Sequence, residues 1–221
     1  TGVIIFSKKI IKFLKKKGSL EKDVYPEIIK QNKMGGKIYK NDFIDMGTPK
    51  DLKKLPKFLE KINFKPAVFL DRDGVINKDI GYLYKIKDVI WRKDINKYIK
   101  KYNDKNYYIV VITNQSGVGR GYYKEQDVIK LHSWIENKIR LSGGNIDKIY
   151  FAPYYKDSKF PKYRKKRNMR KPNIGMILRA KNELNINLKK SILIGDNQTD
   201  KLCAIKAGIK YKILQFGSKL I

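Results

Sequence analysis

A doubly wound, mostly parallel α/β sheet of Rossmann-like type, with a smaller α/β segment in front of it, is the fold this sequence predicts, and three observations predict it. From residue 67 onward, short runs of Val, Ile, Leu and Phe alternate with longer runs whose apolar residues recur at helical spacing. The apolar runs are continuous, as strands covered on both faces require. Several of them stop on carboxylates, amides or hydroxyls followed by glycine, and open α/β sheets place their ligands just beyond such strand ends.

The elements follow in chain order. Residues 2–6 read as a strand, and Ser7 can cap a helix carrying Ile10, Ile11 and Leu14, with Gly18 past its end. A helix is predicted over 25–31, a short strand over 37–40, and a further helix opened by Thr48 and Pro49 as N-cap and first-turn proline. Pro56 breaks or restarts that helix. The polar, proline-terminated stretch 61–66 places a boundary between a segment 1–64 and a domain 65–221. In that domain strands are predicted over 67–70, 107–112, 148–151, 191–194 and 211–215, and helices over 94–102, 124–141, 174–183 and 199–207, the last stopped by Gly208.

Composition narrows the classes. Of 221 residues, 51 are Lys or Arg and 21 are Asp or Glu, a net charge of +30 that makes a polyanion a candidate partner. The charge permits a nucleic-acid-binding module or a polynucleotide 3′-phosphatase, but the lysines are spread over both regions and accompany abundant Asn, Ile and Tyr, the pattern of A/T-rich codon usage, so nucleic acid ranks as an unlikely partner. The one cysteine, Cys203, permits no internal disulfide and excludes a Cys-rich zinc site, which fits a reducing, cytoplasmic location. No apolar run approaches the ~20 residues of a membrane span, so no membrane is expected as a partner. A start on Thr1-Gly2-Val3, without Met, reads as a cut from a longer chain.

Four segments carry chemistry. In Val68-Phe69-Leu70-Asp71-Arg72-Asp73-Gly74 an apolar strand delivers two carboxylates to its end. Residues two apart on an extended chain point the same way, so Asp71 and Asp73 repel unless a cation or shared proton sits between them. Mg²⁺ is the simplest remedy. An EF-hand is excluded because Gly74 comes fourth in the loop rather than sixth; the Asp-x-Asp of metal-dependent glycosyltransferases is a rival for the other segments to decide.

The second segment ends a strand on Thr113-Asn114-Gln115-Ser116-Gly117, offering a hydroxyl and free backbone N–H groups to phosphate oxygens. In the third, Arg170-Lys171-Pro172, a compact ammonium and a guanidinium fork suit two phosphates. The fourth, Ile194-Gly195-Asp196-Asn197-Gln198-Thr199-Asp200, brings Asp196 as a third side of a metal site, Asn197 as a substrate contact, and Asp200 either to orient its neighbours or to cap the next helix. Each segment alone is weak. Their order, carboxylate pair, hydroxyl, lysine, carboxylate, is specific.

In that order, residues 67–215 resemble the haloacid dehalogenase-like phosphatases. Asp71 to Asn77, Asp79-Ile80-Gly81-Tyr82, Thr113 to Gly117 with Arg120-Gly121, and Arg170-Lys171-Pro172 are similar to the heptose 1,7-bisphosphate 7-phosphatase branch of that superfamily; histidinol-phosphate phosphatases share part of the pattern. The resemblance implies Asp71 as the nucleophile that becomes an aspartyl-phosphate and Asp73 as acid, then base. It implies Mg²⁺ held by the Asp71 side chain, the Asp73 backbone carbonyl and Asp196. Thr113, Asn114 and Lys171 would hold the transferring phosphate, with Asp79, Ile80, Gly81, Tyr82, Gln115, Ser116 and Arg170 shaping a site for a small sugar bisphosphate.

Many members carry a zinc loop between the second and third segments. Here 152–169 contains no Cys or His, so no zinc is expected. Lys162, Arg164, Lys165, Lys166 and Arg167 instead form a solvated basic run or help capture a second phosphate. His132, beside Val128, Leu131 and Ile135, reads as an ordinary helix histidine, and Tyr150, Phe151, Tyr154 and Tyr155 as packing around a strand end.

The segment in front differs. Residues 19–26 and Phe43-Ile44-Asp45-Met46-Gly47-Thr48-Pro49 are similar to the closing part of sugar-1-phosphate nucleotidyltransferases of the guanylyltransferase type, where Asp45 matches a metal-binding aspartate of some relatives. Their glycine-rich nucleotide loop precedes this part and is not in the sequence. No transferase activity is expected of this stretch, and an upstream nucleotidyltransferase region of the same polypeptide is expected.

Overall fold

The structure, a computed structural model, describes residues 4–36, 43–164 and 167–218. The chain divides into two compact units, Thr1–Phe43 and Ile44–Ile221. This division falls before the helices that follow Thr48, whereas the sequence places the boundary after them.

In the smaller unit, a 3₁₀ turn Lys8–Phe13 follows Ser7, and a wide turn Leu20–Val24 runs into α1 (Tyr25–Lys30). Ser19 fastens the latter: its Oγ accepts from Lys22 N–H and its own N–H donates to Asp23 Oδ2 at 2.6 Å. Val24 and Ile28 are its buried side chains. The helix expected after Ser7 is thus a single tight 3₁₀ segment. Of the strand expected over 2–6, residues 4–6 are not in a strand; a strand needs a neighbour, and among the described residues the unit has none. Residues 2–3 and the strand expected over 37–40 lie outside the described residues.

The larger unit opens with α2 (Pro49–Leu52), whose N-cap Thr48 accepts from Asp51 N–H, and α3 (Leu55–Asn63), restarted with Pro56 in its first turn. Both belong with the sheet domain, where Asn185 Nδ2 donates to Glu60 O and Tyr108 Oη to Asn63 O. There follow β1 (Ala67–Leu70), α4 (Ile95–Asp104), β2 (Tyr108–Asn114), α5 (Ser116–Arg120), α6 (Glu125–Leu141), β3 (Lys148–Ala152), α7 (Gly175–Leu184), β4 (Ile192–Gly195), α8 (Gln198–Ala207) and β5 (Lys210–Ile213).

The five strands form one parallel sheet in the order β3-β2-β1-β4-β5. Alternate residues of the central strands feed two cores. Val68, Leu70, Ile109 and Val111 meet Ile95 and Ile99 of α4 and Leu131, Ile135 and Ile139 of α6. Ala67, Phe69, Val110 and Ile112 meet Met176 and Ile177 of α7 and Cys203 and Ala204 of α8. All the β1 side chains are buried, which is why β1 reads as an unbroken apolar run.

Strand ends differ from the sequence expectation where pairing decides them. β2 continues to Asn114 because Asn114 has a partner in Ala152, while β5 stops at Ile213 opposite Gly195, the last residue of β4. The winding reverses about β1, with β2 on one side and β4 on the other. Its carboxyl end is therefore the switch point at which open sheets form a crevice.

Candidate active site

Register delivers the four segments to that crevice. Leu70 lies opposite both Val111 and Ile194, and Asp71 N–H donates to Ile194 O at 3.0 Å, so the segment after β1 emerges between Thr113 and Asp196. An open pocket of about 470 Å³ forms there, lined by Asp71, Asp73, Asp79, Gly81, Tyr82, Thr113, Asn114, Gln115, Ser116, Tyr123, Arg170, Lys171, Asp196, Asn197 and Thr199. Of the catalytic, metal-binding and substrate-contact residues expected from sequence, Ile80 is the one not in the lining; it is 45 % exposed on the turn that Asp79 Oδ1 closes by accepting from Gly81 N–H.

Lys171 is the buried cation of the site. Its Nζ lies 2.9 Å from Asp71 Oδ2 and 2.6 Å from Asp200 Oδ1. Asn114 holds its backbone from both sides, accepting from Lys171 N–H at 3.0 Å and donating to Lys171 O at 3.1 Å. Burial works to lower the Lys171 pKa, but Asp71 and Asp200 outweigh it and leave it raised. Asp200 therefore does both things the sequence suggested: Oδ1 orients Lys171, while Oδ2 accepts from Asn197 N–H at the start of α8. Asn197 is the N-cap of α8, its Oδ1 accepting from Thr199 N–H, as well as a pocket residue.

Carboxylate oxygens of Asp71, Asp196 and Asp200 all lie within 4.8 Å of one another. One lysine cannot balance three such groups. Burial pushes Asp71 up to about 8 against the pull of Lys171, with Asp200 and Asp73 adding to the rise, and burial and Asp200 push Asp196 up to about 6. A divalent cation fits this set: hard oxygen donors, an excess of buried negative charge, and an approach kept clear by Gly74, at φ +78°, where a Cβ would overlap the Asp196 carboxylate. Asp200 thus joins the two carboxylates expected at a metal, Asp71 and Asp196, in one cluster.

Asp73 faces a different environment. Arg72 grips both its oxygens, Nε to Oδ1 at 3.1 Å and Nη2 to Oδ2 at 2.8 Å; Asn77 Nδ2 donates to Oδ1 at 2.9 Å and Gln115 Nε2 to Oδ2 at 3.1 Å. Gln115 is held in turn, donating to Thr113 Oγ1 and accepting from Tyr123 Oη. Gly117 makes room for that tyrosine, since a Cβ there would overlap its ring.

Arg72, Arg92 and Tyr123 carry no mark of a role in the sequence. Arg92, whose Nε and Nη2 donate to Val75 O and Gly74 O, ties the loop after β1 to Gln215 O and Ser218 O, a join between distant segments that no local pattern announces.

At the mouth, burial and then the charge of the neighbouring Arg120 push the Arg170 pKa down. Arg120 stacks on Tyr155, 3.8 Å from the ring centroid. The loop between β3 and α7 closes on protein contacts: Tyr155 N–H donates to Tyr163 O, Arg164 Nε to Ser158 O, and buried Tyr163 packs against Val118, Tyr123 and Val128. Lys162 lies over the Tyr163 ring at 4.6 Å; Lys165 and Lys166 lie outside the described residues. His132 is buried on α6 rather than merely helical, with its Nε2 3.3 Å from Arg72 Nη1.

A buried carboxylate and lysine at the switch point of a parallel sheet, a second carboxylate beside them and an acidic cluster for a cation define a phosphoryl-transfer enzyme. Comparison with known proteins agrees. The polynucleotide kinase 3 phosphatase family matches residues 75–213. The chain is 40% identical over 158 residues to the D-glycero-beta-D-manno-heptose-1,7-bisphosphate 7-phosphatase of Haemophilus ducreyi, covering 71% of this chain and 86% of that protein. It is 42% identical over 143 residues to a D-glycero-alpha-D-manno-heptose-1,7-bisphosphate 7-phosphatase of Photorhabdus laumondii, covering 65% and 78%. In the crystal structure of D,D-heptose 1,7-bisphosphate phosphatase from B. bronchiseptica, complexed with magnesium and phosphate, the fold is shared at TM-score 0.59 and 26% identity, over 67% of this chain and 79% of that one. The chain belongs to the haloacid dehalogenase-like phosphatases, in the family that contains the heptose-1,7-bisphosphate 7-phosphatases, and is a phosphoric monoester hydrolase.

Proposed function

We propose that this enzyme removes the 7-phosphate of D-glycero-D-manno-heptose 1,7-bisphosphate, with Mg²⁺ held by the Asp71 and Asp196 side chains and the Asp73 backbone carbonyl, near Asp200. The observation that carries the reading is the Asp71–Lys171 pair at the floor of the pocket, in a chain whose relatives at this level of identity are named for that reaction. When bound, Mg²⁺ supplies positive charge that offsets repulsion between the phosphate and the carboxylates.

Lys171 and the Thr113 hydroxyl hold the equatorial phosphoryl oxygens, and Lys171 keeps the Asp71 carboxylate aimed. An Asp71 oxygen attacks phosphorus, the bond from phosphorus to the sugar oxygen breaks, and Asp73 gives its proton to that oxygen as it leaves. Asp73 then takes a proton from water as the water oxygen attacks the aspartyl-phosphate, releasing inorganic phosphate and restoring Asp71. Four donors fill the lone-pair positions of Asp73, so the proton transfer requires Gln115, on the pocket side, to yield its bond as substrate enters. Arg170, with Arg120 beside it, suits the distal phosphate, and the Asp79–Tyr82 turn closes on the sugar.

The nucleotidyltransferase-like motifs in residues 1–64 support a place for this phosphatase in a cytoplasmic route to a nucleotide-activated heptose, joined to an upstream nucleotidyltransferase region, and favour the α-anomer. No helix among the described residues is long and apolar enough to cross a membrane. Phosphate release from both heptose bisphosphate anomers, histidinol phosphate and a 3′-phosphorylated oligonucleotide, with and without Mg²⁺, tests the reading. Turnover is expected for a heptose bisphosphate with Mg²⁺ and is expected to vanish in Asp71→Asn; preference for either other substrate overturns the substrate, and full activity of Asp71→Asn overturns the nucleophile.

A further inference from the structure

The sole histidine of the chain is joined to the site through one residue. His132 sits on the buried face of α6, its ring edge-on to Phe151 at 5.7 Å between centroids. Its Nε2 lies 3.3 Å from Arg72 Nη1. A guanidinium has N–H donors and no acceptor, so Nε2 accepts and the ring proton sits on Nδ1. Burial and the adjacent Arg72 charge keep the imidazole neutral, as an acceptor must be.

Arg72 is fully buried, and its planar group is held on three sides: Nη1 by His132, Nη2 by Leu83 O at 3.0 Å, and the Nε/Nη2 edge by both oxygens of Asp73. The fork is rigid, so a tilt at Nη1 moves both contacts to Asp73 together. Without its acceptor, Nη1 would be a buried unpaired donor, and the guanidinium would turn to satisfy it.

We propose that His132 is a positioning residue for proton transfer: by accepting from Arg72 Nη1 it fixes the guanidinium fork that sets where the Asp73 carboxylate stands over the leaving oxygen. The inference rests on the reading of Asp73 as acid and base given above.

Two experiments test it. ¹⁵N NMR of the unmodified protein resolves the single imidazole without a substrate or a variant. A protonated Nδ1 and bare Nε2 are expected; a protonated Nε2 overturns the proposal whatever the substrate. The second compares, with Mg²⁺ present, kcat/KM on the primary alkyl phosphate of heptose bisphosphate and on p-nitrophenyl phosphate, whose leaving group needs no proton; kcat/KM reports the steps up to the aspartyl-phosphate and not its hydrolysis, which both esters share. His132→Leu is expected to lose about 10-fold more kcat/KM on the alkyl than on the aryl ester, a fraction of the 10²–10⁴ that general acids contribute. His132→Gln, which keeps an acceptor, is expected to recover most of that difference.

Equal loss on both esters, or no loss, overturns the proposal when Asp73→Asn discriminates between them. If Asp73→Asn does not discriminate, the acid reading itself has failed and the inference falls with it. If His132→Leu does not fold, the NMR tautomer and the ratio in His132→Gln, which must stay near wild type, still decide.

Discussion

Replacing Gly74 by alanine separates the stability of the fold from the integrity of the carboxylate cluster. At φ +78° an L side chain costs about 1–2 kcal/mol. The new Cβ would overlap Cγ and Oδ2 of Asp196 and lie 2.9 Å from Oδ1, inside the 3.4 Å at which ordinary contact begins. The obstacle is the end of a half-buried side chain rather than backbone, so it can rotate away, and the folding cost stays near the conformational ~1–2 kcal/mol. For a cation the same rotation is decisive. Mg–O distances are about 2.0–2.1 Å in near-ideal octahedral geometry, so a displacement on the order of 1 Å removes Asp196 as a ligand. Mg²⁺ affinity is expected to fall by at least ~10–100-fold, the loss typical of disturbing even the outer shell of a metal site. Isothermal titration with Mg²⁺ reads the affinity, and thermal unfolding in EDTA reads the fold. Wild-type affinity to within about 2-fold, small beside the loss argued from coordination geometry, would show that Asp196 is not a ligand. Destabilisation well beyond ~2 kcal/mol would show that the side chain does not relieve the clash.

Three other outcomes are expected. Asp71 and Asp196, raised to about 8 and about 6, must release protons to take a cation, so apparent Mg²⁺ affinity should climb as pH rises from 6 to 8, with proton release detected by titration in buffers of different ionisation enthalpy; a flat profile contradicts the shared site. His132, lowered from 6.5 to about 3 by burial and then by Arg72, contributes stability that is complete above its unfolded pKa and lost as pH falls towards 3, up to roughly 4 kcal/mol. His132→Gln should flatten that acid dependence in urea unfolding measured at pH 7 and pH 4, and an unchanged slope would assign it elsewhere. Metal analysis of purified protein should find no stoichiometric zinc, because residues 152–169 offer no Cys or His to hold one.

Legibility followed chemistry at strand ends. Asp71, Thr113, Lys171 and Asp196 could be read because polar groups that close an apolar run, or follow it into a loop, stand where a parallel sheet opens to its ligand, and all four line the pocket. Arg72 stands inside a legible motif yet carries no mark of its role: an arginine between two aspartates looks like a solvated charge until burial is known, and it is fully buried. His132 on an apolar helix face has no sequence mark of the guanidinium beneath it, sixty positions away. The strand expected over 2–6 failed at 4–6 for the complementary reason: β-propensity is local, but a strand exists only with a partner to bond.

The class of fold, the alternation of strands and helices and the polar groups that stand at the strand ends all follow from the order of residues, because hydrophobic periodicity and the ends of apolar runs are properties of near neighbours. Packing of distant segments was needed to set the strand order β3-β2-β1-β4-β5, which puts the switch point at β1, and the register that places Asp71 between Thr113 and Asp196. It also gave two carboxylates, two residues apart, their unequal surroundings. Asp71 pairs with a buried lysine in an acidic cluster, and Asp73 is gripped by a buried arginine, because groups far apart in the chain were packed against them.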